Sequence, residues 1–186
     1  MDDYYSYKPT AQLARPLVLA GLPGVDVGKT ARVVNMLTGV PLVWLDRRAS
    51  HVLGRSVEIA SRQDRTAAER DLLKTFLART PPVIATSHLT LLDPTCRTLL
   101  RDCSRIHLAI SIDESLALIQ QRSAEDPRAF HALREGRPFE AAALRPVLAE
   151  LDAQLRALPQ QRSVTGQVPL DIGRALLEDL QLMPAA

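Results

Sequence analysis

Short unbroken apolar runs alternate with longer amphipathic stretches along this chain of 186 residues. Residues 15–20 form the first run, which suits a strand buried on both faces. Residues 29–37 follow with Val33, Val34 and Leu37 at helical spacing, and Gly39 ends that helix. Residues 41–45 predict a second strand with Asp46 at its C-terminal end. Residues 46–53 predict a short helix closed by Gly54. The clearest helix spans 64–78, with Leu72, Leu73, Phe76 and Leu77 on one face, and Pro81-Pro82 breaks the pattern after it. A third strand at 83–86 leads into Ser87-His88-Leu89, and a helix at 94–101 precedes a fourth strand at 106–110. The helix at 112–121 opens on Asp113 and Glu114, which suits its dipole. A helix at 140–158, a short strand at 163–165 and a closing helix at 170–182 complete the pattern. Such alternation predicts an α/β fold: a parallel sheet wrapped by helices, with ligands at the carboxyl ends of its strands.

Two segments break this rhythm. Residues 1–14 are polar and read as a flexible arm, so the predicted single domain spans 15–186. Residues 122–138 are charged and proline-broken, the texture of a mobile lid rather than of core.

Composition narrows the partner. The chain is 46% hydrophobic and 24% charged, ordinary for a globular protein. Its net charge of +2, with no basic run interleaved with aromatics, gives no nucleic-acid footprint. No apolar stretch approaches membrane-spanning length, and the acidic, aromatic N-terminus is unlike a signal peptide. Cys96 and Cys103 are seven apart, roughly 10 Å along one helix face, which is too far for a disulfide. A cytoplasmic location, a small-molecule partner and a monomeric or weakly dimeric state are therefore expected.

Candidate chemistry concentrates where the first strand meets the first helix. The run Gly21-Leu-Pro-Gly24-Val-Asp-Val-Gly28-Lys29-Thr30 is a glycine-rich turn ending in Gly-Lys-Thr. Its backbone N–H groups converge on phosphate oxygens, and the helix directs its positive end at them. Lys29 would reach the outer phosphates and the Thr30 hydroxyl would sit on Mg²⁺. The spacing is irregular. A standard loop has four residues between its first glycine and Gly-Lys; here Gly24 leaves three and Gly21 leaves six. The loop reads as a shorter one with Val25-Asp26 added, and Asp26 brings a carboxylate to an anion site. A glycine-rich turn that has lost its ligand is the alternative.

The order of phosphate loop, strand ending in Asp46, Gly54-Arg-Ser-Val57, the strand Val83-Ile-Ala-Thr86, Arg122, an arginine-rich lid and Arg145 resembles shikimate kinase. The resemblance covers about 15–182. It implies a three-layer P-loop kinase fold with a five-stranded parallel sheet in the order 2-3-1-4-5 and a mobile lid. It also implies ATP and Mg²⁺ as cofactors. By resemblance, Gly24, Val27, Gly28, Lys29 and Thr30 hold the nucleotide, and Thr30 also holds the metal. Asp46 accepts from a substrate hydroxyl and acts as base. Arg65 and Arg145 clamp the substrate's carboxylate. Arg122 packs on adenine, and Arg128 reaches the transferring phosphate. Lys29, Asp46 and Arg128 would thus be the catalytic set.

Several positions depart from that family. Its Asp-x-Asp is replaced by Trp44-Leu45-Asp46, and its three substrate-floor glycines by Ser87-His88-Leu89. His88 is therefore a candidate substrate contact, and Trp44 a packing residue or a stacking surface. Each role has a plainer counterpart. Asp46 suits a helix N-cap, Arg145 a solvated helix start, and Arg122 and Arg128 a charged surface. The expected activity is ATP-dependent phosphoryl transfer to a hydroxyl of a small polyhydroxylated carboxylate, which need not be shikimate. The alternative from another class is a catalytically inactive binding or interaction module. The run Asp26-Val-Gly-Lys-Thr is also similar to the long phosphate loop of dethiobiotin synthetase, although the rest of the chain does not follow that family.

Overall fold

Five short parallel strands form one sheet in the order β2-β3-β1-β4-β5. They are β1 (Leu17–Gly21), β2 (Leu42–Trp44), β3 (Val83–Ala85), β4 (Ser104–Ala109) and β5 (Gln160–Ser163). The computed structural model describes residues 11–182 except 132 and 136. The expected N-terminal arm therefore lies, up to residue 10, outside the described residues. Registers are continuous: Leu17 pairs with Val83 on one side and Ser104 on the other, and Ile106 pairs with Gln160. β1 and β3 are buried at every position, which is why they read as unbroken apolar runs.

Helices α1 (Val27–Thr38), α2 (Leu45–Leu53), α3 (Arg62–Leu77), α4 (Pro94–Leu99), α5 (Ile112–Glu125), α6 (Ala141–Arg156) and α7 (Pro169–Asp179) flank the sheet. α1 packs on α7, α5 on α6, and α3 on α2 and α4. The Ser61 hydroxyl caps α3 by accepting from the Asp64 amide, so α3 starts two residues before the apolar pattern does. α5 runs four residues past its expected end, into the segment read as lid. A 3₁₀ turn at Thr90–Leu92, which the apolar pattern did not show, carries the chain from β3 to α4.

The last strand corrects the sequence reading. β5 lies at Gln160–Ser163, not at 163–165. It is a sheet edge with three of its four residues exposed, so burial leaves no apolar signature there. Val164, the apolar residue that suggested a strand, instead packs in the core just beyond it. Cys96 and Cys103 are free and buried, and only Cys96 is helical. Among the described residues no helix is long and apolar enough to cross a membrane.

Asp93 ties α4 to α3. Its carboxylate accepts from the Cys96 amide at 2.8 Å and from both Nε and Nη2 of Arg70. These partners hold the carboxyl well below its ordinary value, at about 2. The folded value is below the unfolded one, so the contribution is complete above pH 4 and lost as pH falls towards 2. Arg70 is partly exposed, which limits the effect to about 1–2 kcal/mol. Urea midpoints measured from pH 6 to pH 2 should fall less steeply below pH 4 in Asp93→Asn than in the unaltered protein.

Candidate active site

The loop between β1 and α1 is fixed from three sides. The Ser115 hydroxyl of α5 donates to the Pro23 carbonyl at 2.6 Å. Gly24 has φ +103° and lies against Leu118, where a Cβ would come within 2.8 Å. The Thr30 amide donates to the Asp26 carbonyl at 2.9 Å, closing the first turn of α1. Asp26 stands at the N-cap, yet its side chain does not cap the helix. Its two oxygens accept instead from Lys29 Nζ at 3.0 Å and Arg122 Nη2 at 3.1 Å. Arg122 also donates to the Gly24 carbonyl at 3.2 Å. The Thr30 hydroxyl is buried without a hydrogen-bond partner.

Trp44, at the end of β2, packs its indole directly on Gly28. A Cβ at residue 28 would lie 2.0 Å from Trp44 Cε2. The Arg47 guanidinium also stands over the indole, 4.3 Å from the ring centroid. The packing reading of Trp44 is thus the one the contacts support, and the loop can approach β2 this closely only with glycine at 28.

A second polar group lies at the same end of the sheet. Arg65 of α3 is fully buried and donates to Asp46 Oδ1 at 2.5 Å and Glu69 Oε1 at 3.2 Å. Glu69 also accepts from the Thr90 hydroxyl at 2.8 Å. Arg65 Nη1, Glu58 Oε2 and His88 Nε2 are buried with no hydrogen-bond partner. Burial raises the carboxyls of Asp46, Glu58 and Glu69 above their ordinary values, while Arg65 pulls each of them down. Burial, with Arg65 nearby, lowers His88 well below its ordinary value, so its imidazole is neutral at pH 7. The His88 ring meets Phe130 edge to face, with centroids 5.8 Å apart.

Two cavities flank the phosphate loop. One, of about 220 Å³, is lined by the loop with Trp44, Asp46, Glu58, His88, Arg122 and Phe130. The other, of about 310 Å³, lies between α5 and the segment after β5, where Ile110, Leu118, Val168 and Ile172 supply an apolar lining. Gly24, Val25, Asp26 and Arg122 line both.

The sequence-derived site therefore assembles in part. Gly24, Val27, Gly28, Asp46, His88 and Arg122 line the first cavity. Lys29 and Thr30 stand at the head of α1, and Arg65 lies behind Asp46. The structure does not bring Arg145 or Arg128 to this group. Arg145 pairs with Asp113 at 2.6 Å on the exposed side of α6 and α5, because residue 145 faces α5 rather than the cavity. Arg128 is exposed and held by neighbouring Asp126. The segment read as lid folds back over the site: Phe130 and Leu133 are buried, and Arg134 donates to the carbonyls of Pro127, Ala129 and Arg137. Glu58, Glu69 and Phe130, and Gln167 in the lining of the second cavity, escaped the sequence reading. Glu69 lies within α3, and Glu58 and Phe130 lie in irregular segments after α2 and α5, so no local period marks them; only Gln167 comes shortly after the end of a strand, β5.

No protein-family model matches the chain, and neither does any curated protein sequence. Several solved structures match over nearly its whole length. Shikimate kinase from Acinetobacter baumannii, solved with shikimate, matches with a TM-score of 0.73 at 17% identity, covering 90% of this chain and 94% of that one. Shikimate kinase from Aquifex aeolicus matches with 0.67 at 12% identity, over 89% and 96%. A gluconokinase from Sinorhizobium meliloti matches with 0.54 at 17% identity, over 92% and 98%. The likeness is one of fold: the sheet order and flanking helices are those of the P-loop kinase fold.

Replacing Arg65 by Met should leave Asp46, Glu58 and Glu69 without their shared cation and cost about 3–5 kcal/mol. These carboxyls titrate above their unfolded values, so their folded form is favoured at low pH and weakened as pH rises. The loss, measured by urea unfolding, should be larger at pH 8 than at pH 5. Gly28→Ala should cost about 1–3 kcal/mol through its clash with the indole. In a Trp44→Ala background the same change should cost under about 0.5 kcal/mol, because the clashing ring is gone.

Proposed function

We propose that the chain is a nucleotide-dependent phosphotransferase that moves the terminal phosphoryl group of ATP to a hydroxyl of a small polyhydroxylated molecule. One observation carries this reading: an uncapped α1 N-terminus, with Lys29 beside it and the buried Thr30 hydroxyl unpaired, stands between two cavities. The likeness in fold to shikimate kinases and a gluconokinase supports it.

The apolar cavity beside Arg122 suits the nucleoside. The amides of the loop and Lys29 suit the phosphates. The Thr30 hydroxyl lacks a protein partner and so fits Mg²⁺, which when bound would neutralise phosphate charge. The cavity lined by Asp46, Glu58 and His88 suits the acceptor. Asp46, with its carboxyl raised by burial and steadied by Arg65, is placed to take the acceptor's hydroxyl proton. His88 is neutral and offers Nε2 as a hydrogen-bond partner to a further hydroxyl. Arg122 is the one cation among the described residues lining that cavity. Arg128 and Arg145 have to leave Asp126 and Asp113 to reach a phosphate or an acid group, so weak or absent turnover of shikimate itself is expected.

The packing of Trp44 on Gly28 favours a second reading, in which the same site binds nucleotide without turnover. Thermal unfolding separates the two. Millimolar ATP with Mg²⁺ should raise the melting temperature of the unaltered protein by mass action, and Lys29→Ala should abolish that rise. A rise accompanied by acceptor-dependent ADP release over a panel of polyols supports the transferase. A rise with no ADP release supports the binding module, and no rise at all defeats both.

A further inference from the structure

We infer that Asp26 is a specificity-determining residue of the nucleotide site, an internal carboxylate that must be displaced before a polyphosphate can span the two cavities. The inference rests on the phosphate-site reading given above. It begins in the sequence, where the loop carries two residues more than its spacing requires, and Asp26 is one of them.

The geometry gives that residue a purpose. An aspartate at a helix N-cap ordinarily accepts from an amide of the first turn. The Asp26 side chain does not. Its carboxylate is drawn to two cations and binds one with each oxygen, Lys29 Nζ at 3.0 Å and Arg122 Nη2 at 3.1 Å. These are the two side chains best placed to meet phosphate oxygens at the head of α1. Asp26 thus offers them the anion a ligand would offer, while the first-turn amides stay without a side-chain cap. It also occupies the passage. Asp26 and Arg122 line both the apolar cavity and the acidic one, so the bridge between them crosses the route from nucleoside to acceptor.

Two consequences follow from charge. A phosphate chain reaching from the apolar cavity to Asp46 has to take Lys29 and Arg122 from Asp26 and move its carboxylate aside. The chain needs enough negative charge to win that exchange, which two or three linked phosphates supply. A nucleoside bound only in the apolar cavity leaves the bridge intact and is indifferent to it. Asp26 therefore lowers affinity for every phosphorylated ligand and leaves that for the bare nucleoside unchanged. The site takes a nucleoside polyphosphate and admits it only by displacement.

The test compares the unaltered protein with Asp26→Asn, which keeps the shape and removes the charge. Asp26→Ser serves as a second variant should the first fold poorly. Calorimetric titrations with ATP, inorganic tripolyphosphate and adenosine supply the three probes. The two ion pairs are partly exposed, so their removal should tighten ATP and tripolyphosphate about three- to tenfold. Adenosine should bind both proteins equally. Polyphosphate binding that is unchanged or weaker in the variant overturns the inference and leaves the phosphate site standing. Equal tightening of adenosine overturns it too, because it marks a general loosening of the loop. If neither protein binds ATP or tripolyphosphate, the phosphate-site reading falls and takes the inference with it.

Discussion

Arg65 holds together the end of the sheet on which the site is built. Its guanidinium is buried and joins Asp46 at the start of α2 to Glu69 within α3 itself. Through Glu69 it also reaches Thr90, in the turn after β3. A buried cation is costly to desolvate, and only close carboxylates make it tolerable. Here burial raises the carboxyls of Asp46, Glu58 and Glu69, and the single cation only partly offsets it. Structure and chemistry share one cause. The burial that raises the Asp46 carboxyl is the burial that packs α2 and α3 beside the strand ends.

Across the sheet the phosphate loop is held by a different kind of contact. Trp44 presses on Gly28, Leu118 on Gly24, and Ser115 hydrogen-bonds Pro23. These contacts come from β2 and α5, so the loop is gripped between the two cavities that flank it. Its cations are held in turn by Asp26. Arg122 takes part on both sides of the loop, and a change there is felt in both cavities at once.

Much of this was legible in the sequence. β1, the glycine turn and α1 could be read because a strand buried on both faces is an unbroken apolar run and Gly-Lys-Thr follows it. The sheet order came with the resemblance, and the fold bears it out. β5 was misplaced because an exposed edge strand such as Gln160–Ser163 carries no pattern of burial. Asp26 was visible as an addition. Its bridge to Arg122 was not, since nothing local connects residues 96 positions apart. Arg145 went to Asp113 because its direction depends on how α6 packs against α5, and helical spacing alone does not fix that. Glu58 lies in an irregular turn with no period to give it away.

The meagre outer strands have a bearing on how the protein behaves in a crowded solution. β2 has three residues and runs straight into α2, while β5 has four, is polar throughout, and has Arg162 paired with Asp179 of α7. A sheet with long apolar margins invites strands from neighbouring molecules to extend it. Margins this short, one of them polar throughout, give such strands little to grip. The polar edge that hid β5 from the apolar pattern therefore also discourages intermolecular strand addition and aggregation.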